Sequence, residues 1–313
     1  MVQTLIVPLG GSPTSIQALP IARAAARTLG GRLVLLRAVQ HAGRHASPTN
    51  PGPVLLELED LARELRKEGI AAEVQIRWAD PASAIVDAAR EYDASIIVMA
   101  DHRGHRFRDW LSGKVTEEVL HQTGVPVLVV PADGAPLPAD GSARRVLVPL
   151  DGSALAESAL VQLRRITGPR SLEVQLFSVI PRPIGPYGVI LPYVPDPETD
   201  RRATERYLDE IAATLRAEGV VAHTQVIFQG ADSVAREILH LARRMGADII
   251  AMATHGRGHL EHLALGSVST EVLEHSPVPV LLTPRLAGSE PDGQPSESRS
   301  PGVARASEPA RVS

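Results

Sequence analysis

Short apolar runs recur at regular intervals along the first half of the chain. They are rich in Val, Ile and Leu, and such continuous apolar runs are typical of strands that are buried on both faces of a sheet. The runs predict strands near residues 4–9, 32–39, 71–78, 95–100 and 126–130.

Helical patterns separate these runs. Apolar residues spaced three or four positions apart predict amphipathic helices. Alternation of strands and helices requires parallel strands joined by crossover helices on both faces of the sheet. The predicted unit is an α/β, doubly wound domain with a five-stranded parallel sheet flanked by helices. The helical spacing is clearest at Val54, Leu58, Leu61 and Leu65, and later at Tyr207, Ile211 and Leu215.

Three segments of the first half recur in the same order in the second half, which indicates an internal repeat. Two such domains in tandem are therefore predicted, and the second gains about 12 residues within 181–197, a stretch rich in Pro, Gly and Tyr that predicts a long loop. The matching pairs are 4–12 with 145–153, at an offset of 141 residues, and 94–100 with 247–253 and 123–131 with 276–284, both at an offset of 153.

The repeat also predicts the domain boundaries. The first domain covers residues 1–131, a linker rich in Pro, Gly, Ala and Asp covers 132–144, and the second domain covers 145–285. Residues 286–313 contain almost no apolar side chains, so we expect a disordered tail that cannot bury enough surface to offset its ordering entropy.

Composition narrows the class of protein. Hydrophobic residues make up 44% of the 313 residues and aromatic residues only 3%, so the cores must be mainly aliphatic. A net charge of −4 gives no reason to expect nucleic acid or an anionic membrane as a partner. There are no cysteines, no signal-peptide pattern and no apolar run near the ~18 residues that span a bilayer. We therefore expect a cytoplasmic protein.

The candidate chemistry lies after the fourth strand of the second domain. Ligands of doubly wound sheets bind beyond the carboxyl ends of the strands. Glycines allow the backbone to approach an anion, and the N–H groups at a helix start point toward it. Ser267 would add a hydroxyl and serve as N-cap. Asp151, just past the first strand, would accept from a ribose hydroxyl. The loop and helix start read Ala253-Thr254-His255-Gly256-Arg257-Gly258 and Gly266-Ser267-Val268.

Together these motifs resemble those of the universal stress proteins, and the resemblance covers about residues 1–285 in two passes. The motifs are Val-Pro-Leu-Asp-Gly-Ser at 148–153, Met-Ala-Thr-His-Gly-Arg-Gly at 252–258, Leu-Gly-Ser-Val at 265–268 and Pro-Val-Pro-Val-Leu-Leu at 277–282. ATP-binding members of that family carry Gly-x2-Gly-x9-Gly-(Ser/Thr). Here Ala253 stands at the first glycine, followed by Gly256, Gly266 and Ser267 at the required spacing.

The resemblance implies ATP, with Mg²⁺ on its phosphates, bound to the second domain. Asp151 would lie on the sugar or metal side, and the backbone of Val179 would hold the adenine edge. The phosphates would be held by main-chain N–H groups and the Ser267 hydroxyl. The full predicted site is Pro149, Asp151, Val179, Ala253, Thr254, His255, Gly256, Arg257, Gly258, Gly266, Ser267 and Val268.

The first domain departs from this pattern. Gly10 replaces Asp151, Arg103 replaces Gly256 and Lys114 replaces Ser267. One interpretation is a degenerate copy that only pairs with the second domain. The other is that its basic residues bind another anion or reach a phosphate held across the domain interface. Those residues are Arg103, Arg106, Arg108 and Lys114.

Several alternatives stay open. His255, His259 and His262 lie in one loop and suggest a zinc site, although they do not share a helix face. Asp151 beside Ser153 suggests a catalytic pair, but a strand-to-helix turn with Ser153 as N-cap is the simpler interpretation. The expected function is that of a stress-responsive nucleotide-binding sensor or regulator. A nucleotide-independent scaffold or chaperone-like protein and a weak ATPase are the alternatives.

By the same resemblance, the last strands of the two domains, 125–130 and 278–282, would pair in antiparallel fashion. Such pairing hides two exposed strand edges, so that one chain forms its own pseudo-dimer. A further homodimer of tandem chains is left open by the sequence.

Overall fold

A computed structural model describes residues 3–39, 52–101, 114–132, 144–167, 172–181, 197–230, 232–256 and 265–284. In the first half, strands and helices alternate as β1 (Thr4–Pro8), α1 (Ala18–Leu29), β2 (Arg32–Ala38), α2 (Gly52–Lys67), β3 (Ala71–Arg77), α3 (Pro81–Glu91), β4 (Ile96–Asp101), α4 (Lys114–Gln122) and β5 (Val127–Pro131).

The second half repeats this order. Its elements are β6 (Arg145–Pro149), α5 (Ala154–Thr167), β7 (Glu173–Ile180), α6 (Pro197–Ala217), β8 (Val221–Phe228), α7 (Val234–Met245), β9 (Ile249–Ala253), α8 (Ser267–His275) and β10 (Val280–Thr283). The predicted α/β fold of two tandem doubly wound domains is confirmed. The five strands predicted in the first half each lie within about one residue of the observed ones.

All ten strands join one sheet in the order β3-β2-β1-β4-β5-β10-β9-β6-β7-β8. Within each half the neighbouring strands are parallel. The predicted cross-domain pairing is also confirmed, because β5 and β10 are antiparallel with Leu281 opposite Leu128. The strands of the two domains therefore run in opposite directions, and their carboxyl ends lie at opposite edges of the sheet.

Helices cover both faces of this sheet, because strand side chains alternate between faces. Leu5 and Val7 belong to the core that is shared with α1, α2, α5 and α6. Ile6 belongs to the core on the other face, with α3, α4, α7 and α8. The first core contains buried residues of both domains, including Leu128 and Leu281, so it continues across the seam formed by β5 and β10.

Local sequence sets the helix ends. The side chain of Asp80 accepts hydrogen bonds from the N–H groups of Ala82 and Ser83, and Pro81 occupies the first helical position of α3. Gly246 ends α7 in the left-handed conformation with φ of 61°, as expected for a helix C-terminus.

The edge strand β3 carries a polar cluster. The Tyr92 hydroxyl donates to the Glu73 carboxylate, and Gln75 donates to both. The guanidinium of Arg32 lies 5.3 Å from the centre of the Tyr92 ring. Burial and the hydrogen bond to Glu73 raise the pKa of Tyr92 to about 12. Polar side chains on an edge strand discourage pairing with another chain.

Candidate functional site

The candidate site of the second domain lies at the point where the strand order reverses. The first strand of this domain, β6, has β7 on one side and β9 on the other. The connection that leaves β6 passes over one face and the one that leaves β9 passes over the other, so their loops separate and open a crevice. The predicted residues after these two strands border this crevice.

The structure gives a position for ten of the twelve predicted residues, all at the carboxyl edge of the second domain's strands or at the start of the following helix. Arg257 and Gly258 lie outside the described residues. Pro149 ends β6, Asp151 follows it, Val179 is the penultimate residue of β7, Ala253 ends β9, Thr254, His255 and Gly256 follow it, Gly266 precedes α8, and Ser267 and Val268 begin α8.

Asp151 is fixed by the turn between β6 and α5. One oxygen of its carboxylate, Oδ1, accepts from the backbone N–H of Ser153 at 3.0 Å and from its hydroxyl at 2.7 Å. The Ser153 hydroxyl in turn accepts from the N–H of Ala156 at 3.1 Å. The interpretation of Ser153 as an N-cap is therefore confirmed. Gly152 allows the turn, with φ of 83°.

The other carboxylate oxygen of Asp151, Oδ2, faces Gly256. A Cβ atom on Gly256 would overlap this oxygen, so any larger residue there would require the Asp151 carboxylate to shift. Gly256 is exposed and Asp151 is half-buried. The residues after β6 and after β9 thus meet at one open place. In the first domain the corresponding residues differ together, since Gly10 and Arg103 replace this pair.

The loop after β9 is tied to the start of α8. The carbonyl of Thr254 accepts from the N–H of Gly266 at 2.8 Å and from the hydroxyl of Ser269 at 2.5 Å. Ser269, which is buried, also donates to the carbonyl of Gly266 at 3.0 Å. These bonds hold the first turn of α8 beside the strand end.

The expectation that Ser267 is the N-cap is wrong. Gly266 occupies that position with φ of −70° and ψ of 160°, and Ser267 is the first residue inside the helix. The hydroxyl that anchors this helix start belongs to Ser269, which sequence reasoning missed. Its signal was a second serine in the first turn, two residues after Ser267. Ser267 is exposed.

The structure describes only one of the three histidines that suggested a zinc site. His255 lies with Nδ1 3.1 Å from the Thr254 hydroxyl. Within the described ranges, no three or more His, Asp or Glu side chains lie close enough to hold a metal ion. His259 and His262 fall outside those ranges.

The basic residues of the first domain are only partly described. Ala100 is buried near the end of β4, and the exposed Lys114 begins α4. Because β5 and β10 are antiparallel, Lys114 lies at the edge of the sheet opposite the second domain's loops. This does not favour a phosphate contact across the interface by Lys114. Arg103, Arg106, Arg108 and Gly113 lie outside the described residues.

Comparisons with known proteins agree with this architecture. The model of the "Universal stress protein family" matches residues 1–131 and 142–284. Universal stress protein Rv2005c of Mycobacterium tuberculosis is 26% identical over 230 residues, covering 71% of this chain and 74% of that protein. A universal stress protein of Archaeoglobus fulgidus has a TM-score of 0.65 at 23% identity, covering 90% of this chain and 96% of that structure. This likeness shows the fold.

A smaller solved relative is a universal stress protein in complex with cAMP, with a TM-score of 0.34 at 23% identity, covering 42% of this chain and 97% of that structure. None of the helices in the described ranges is both long enough and apolar enough to cross a membrane.

Proposed function

The chain belongs to the universal stress protein family, and on this premise we propose that its second domain binds ATP and acts as a stress-responsive regulator. The observation that carries the proposal is the close approach of the Asp151 carboxylate to Gly256, beside the start of α8. A carboxylate, an open glycine backbone and free helical N–H groups at one crevice suit a sugar and its phosphates.

Each part of the site has a separate role in this proposal. The first N–H groups of α8, at Ser267 and Val268, have no acceptor within the helix and favour the negative charge of phosphates. The Ser267 hydroxyl adds a donor. The carboxylate of Asp151 would accept from a ribose hydroxyl. The backbone of Val179, at the end of β7, would hold the base edge.

Magnesium also fits the donor set. A carboxylate oxygen at an open edge is the kind of ligand that Mg²⁺ takes together with phosphate oxygens. When bound, Mg²⁺ would neutralise phosphate charge that Asp151 would otherwise repel. The hydrogen bonds from Ser153 hold the Asp151 carboxylate at this edge, where it would contact the ion.

Thermal unfolding of the full chain tests the proposal. A ligand that binds only the native state stabilises it by about 2.7 kcal/mol at one hundred times its Kd. We expect millimolar ATP–Mg²⁺ to raise the Tm of the wild type. Gly256→Ala should weaken ATP binding by about tenfold, because the added methyl displaces Asp151 and removes a hydrogen bond to the nucleotide.

Gly230→Ala is the matched control. Gly230 lies in the second domain just beyond β8, and an added methyl there would meet only the end of the Glu237 side chain, at 3.1 Å. ATP stabilisation should therefore be unchanged. Absence of any shift in the wild type, with no nucleotide released from the denatured purified protein, would overturn the proposal and favour the nucleotide-independent scaffold.

Phosphate release separates a regulator from a weak ATPase. Gly266→Asp places a carboxylate where phosphates would bind. Equal release by wild type and this variant would identify a contaminating enzyme. Release that the variant abolishes would mean that the bound nucleotide is slowly hydrolysed.

A further inference from the structure

A nearly buried arginine lies at the carboxyl edge of the first domain. Arg37 is the penultimate residue of β2, and its side chain is only 10% exposed. Its guanidinium lies against Gly11, since Nη1 would be 2.7 Å from a Cβ on that glycine. Gly11 has φ of 86° and follows β1. The guanidinium thus occupies the same edge of the first domain that the candidate site occupies in the second.

This guanidinium is poorly compensated. Its Nε is buried and has no hydrogen-bond partner among the described residues. Among the described residues it is paired with the carboxylate of Glu57, whose Oε2 lies 3.7 Å from Nη2, which is longer than a hydrogen bond. Burial lowers the pKa of Arg37 more than Glu57 raises it. Buried charges are normally paired and hydrogen-bonded, so this cation, whose ion pair is long, could accommodate a further anionic partner.

Comparison of the two domains strengthens this point. Thr4 pairs with Arg32 and Arg145 pairs with Glu173, so Arg37 corresponds to Ser178. Where the second domain has Asp151, the first has Gly10. The first domain has therefore exchanged a carboxylate and a hydroxyl for a glycine and a cation, which reverses the charge that a ligand would meet at this edge.

We propose that Arg37, beside Gly11, forms a site in the first domain for a phosphate group, supplied by inorganic phosphate or by a phosphomonoester. The planar guanidinium fork matches two oxygens of such an anion. Glu57 is half exposed, with 50% of its side chain accessible, and it competes for the same cation until the anion displaces it. The site does not depend on nucleotide binding by the second domain.

Phosphate titration of the full chain in the Gly266→Asp background tests the site without a contribution from the second domain. Inorganic phosphate and AMP are titrated separately by calorimetry, with chloride holding the ionic strength constant. Equal affinities for phosphate and AMP would indicate that the site recognises the phosphate group alone. A higher affinity for AMP would indicate that the ligand of the site is a phosphomonoester. Either response must be saturable to support the site.

Four variants decide the outcome. Arg37→Gln should weaken binding at least about tenfold, through loss of a charge-assisted bidentate contact. Glu57→Gln should tighten it about two- to fivefold, because a competing exposed charge is removed. Arg77→Gln, at the same edge but paired with Glu91, should leave it unchanged. Arg37→Lys should bind less tightly than the parent because the fork is lost.

When all variants fold, two results would contradict the proposal. One is an absence of saturable binding in both the parent and Glu57→Gln. The other is equal affinity in the parent and Arg37→Gln. Where Arg37→Gln fails to fold, Glu57→Gln still decides, because it retains Arg37, and an unchanged affinity there would refute the proposal.

Discussion

Replacing Leu281 with alanine should destabilise both domains together. Leu281 is 1% exposed at the centre of β10, directly opposite Leu128 of β5, which is also 1% exposed. Complete burial of a leucine contributes about 1.5–3 kcal/mol, and the cavity left in a packed core adds to the loss. We therefore expect Leu281→Ala to lower the free energy of unfolding by about 3 kcal/mol.

The position of the tryptophans makes the assay selective. Both tryptophans of the chain, Trp78 and Trp110, belong to the first domain. Their fluorescence during urea unfolding reports that domain, while circular dichroism reports the whole chain. If the shared core couples the domains, Leu281→Ala will lower the midpoint seen by both probes equally, although Leu281 lies in the second domain.

A double-mutant cycle isolates the seam. Leu128→Ala and Leu281→Ala should couple by about 1 kcal/mol, because the two side chains face each other across the paired strands. Leu35→Ala, four strands away on β2, should be additive with Leu281→Ala within about 0.5 kcal/mol. An unchanged tryptophan midpoint in Leu281→Ala would refute the reasoning, since the second domain would then unfold alone.

Three further substitutions follow from the structure, each followed by urea unfolding. Gly11→Ala should lower the free energy of unfolding more than Gly30→Ala does. Both glycines have positive φ, which costs an alanine about 1–2 kcal/mol, but of the two only Gly11 has a guanidinium within 3 Å of the added methyl. Equal losses in the two variants would contradict that packing. Thr283→Val should stabilise by about 1 kcal/mol, because the buried Thr283 hydroxyl has no partner in the described ranges; a loss of stability would reveal a partner. Burial and the hydrogen bond to Glu73 raise the pKa of Tyr92 to about 12 in the folded state, against about 10 in the unfolded state, so stability should fall from pH 10 to 12. Tyr92→Phe should flatten that fall, and an equal fall in both proteins would mean that the pKa of Tyr92 is not raised by folding.

The inner strands were predictable because they are buried on both faces and are therefore mainly apolar. This is why the run near residues 32–39 predicts β2, Arg32–Ala38, within about one residue. Burial of Arg37 was not predictable, because an arginine near the end of an apolar run is typical of an exposed strand end. Its burial depends on Gly11, which is brought beside it only by the pairing of β1 with β2.

The candidate site was likewise predictable from the sequence only in part. Glycine spacing and the serine after Gly266 predicted where a loop would meet a helix. They did not distinguish Gly266 from Ser267 as the cap, since a helix can begin at either of two adjacent small residues. The contact between Asp151 and Gly256 joins residues about 105 positions apart and follows only from the adjacency of β6 and β9.

The antiparallel seam between β5 and β10 has a consequence for how this protein can diversify. Two identical subunits joined through the same strands must carry every substitution twice, once in each half of the symmetric assembly. In a single chain each half has its own sequence and can be substituted independently. Asp151 can therefore be kept in one half while Gly10 and Arg37 occur in the other. The association of the two domains is also independent of protein concentration, because both domains belong to one chain. Fusion thus frees the two halves to specialise without loss of the interface that stabilises both.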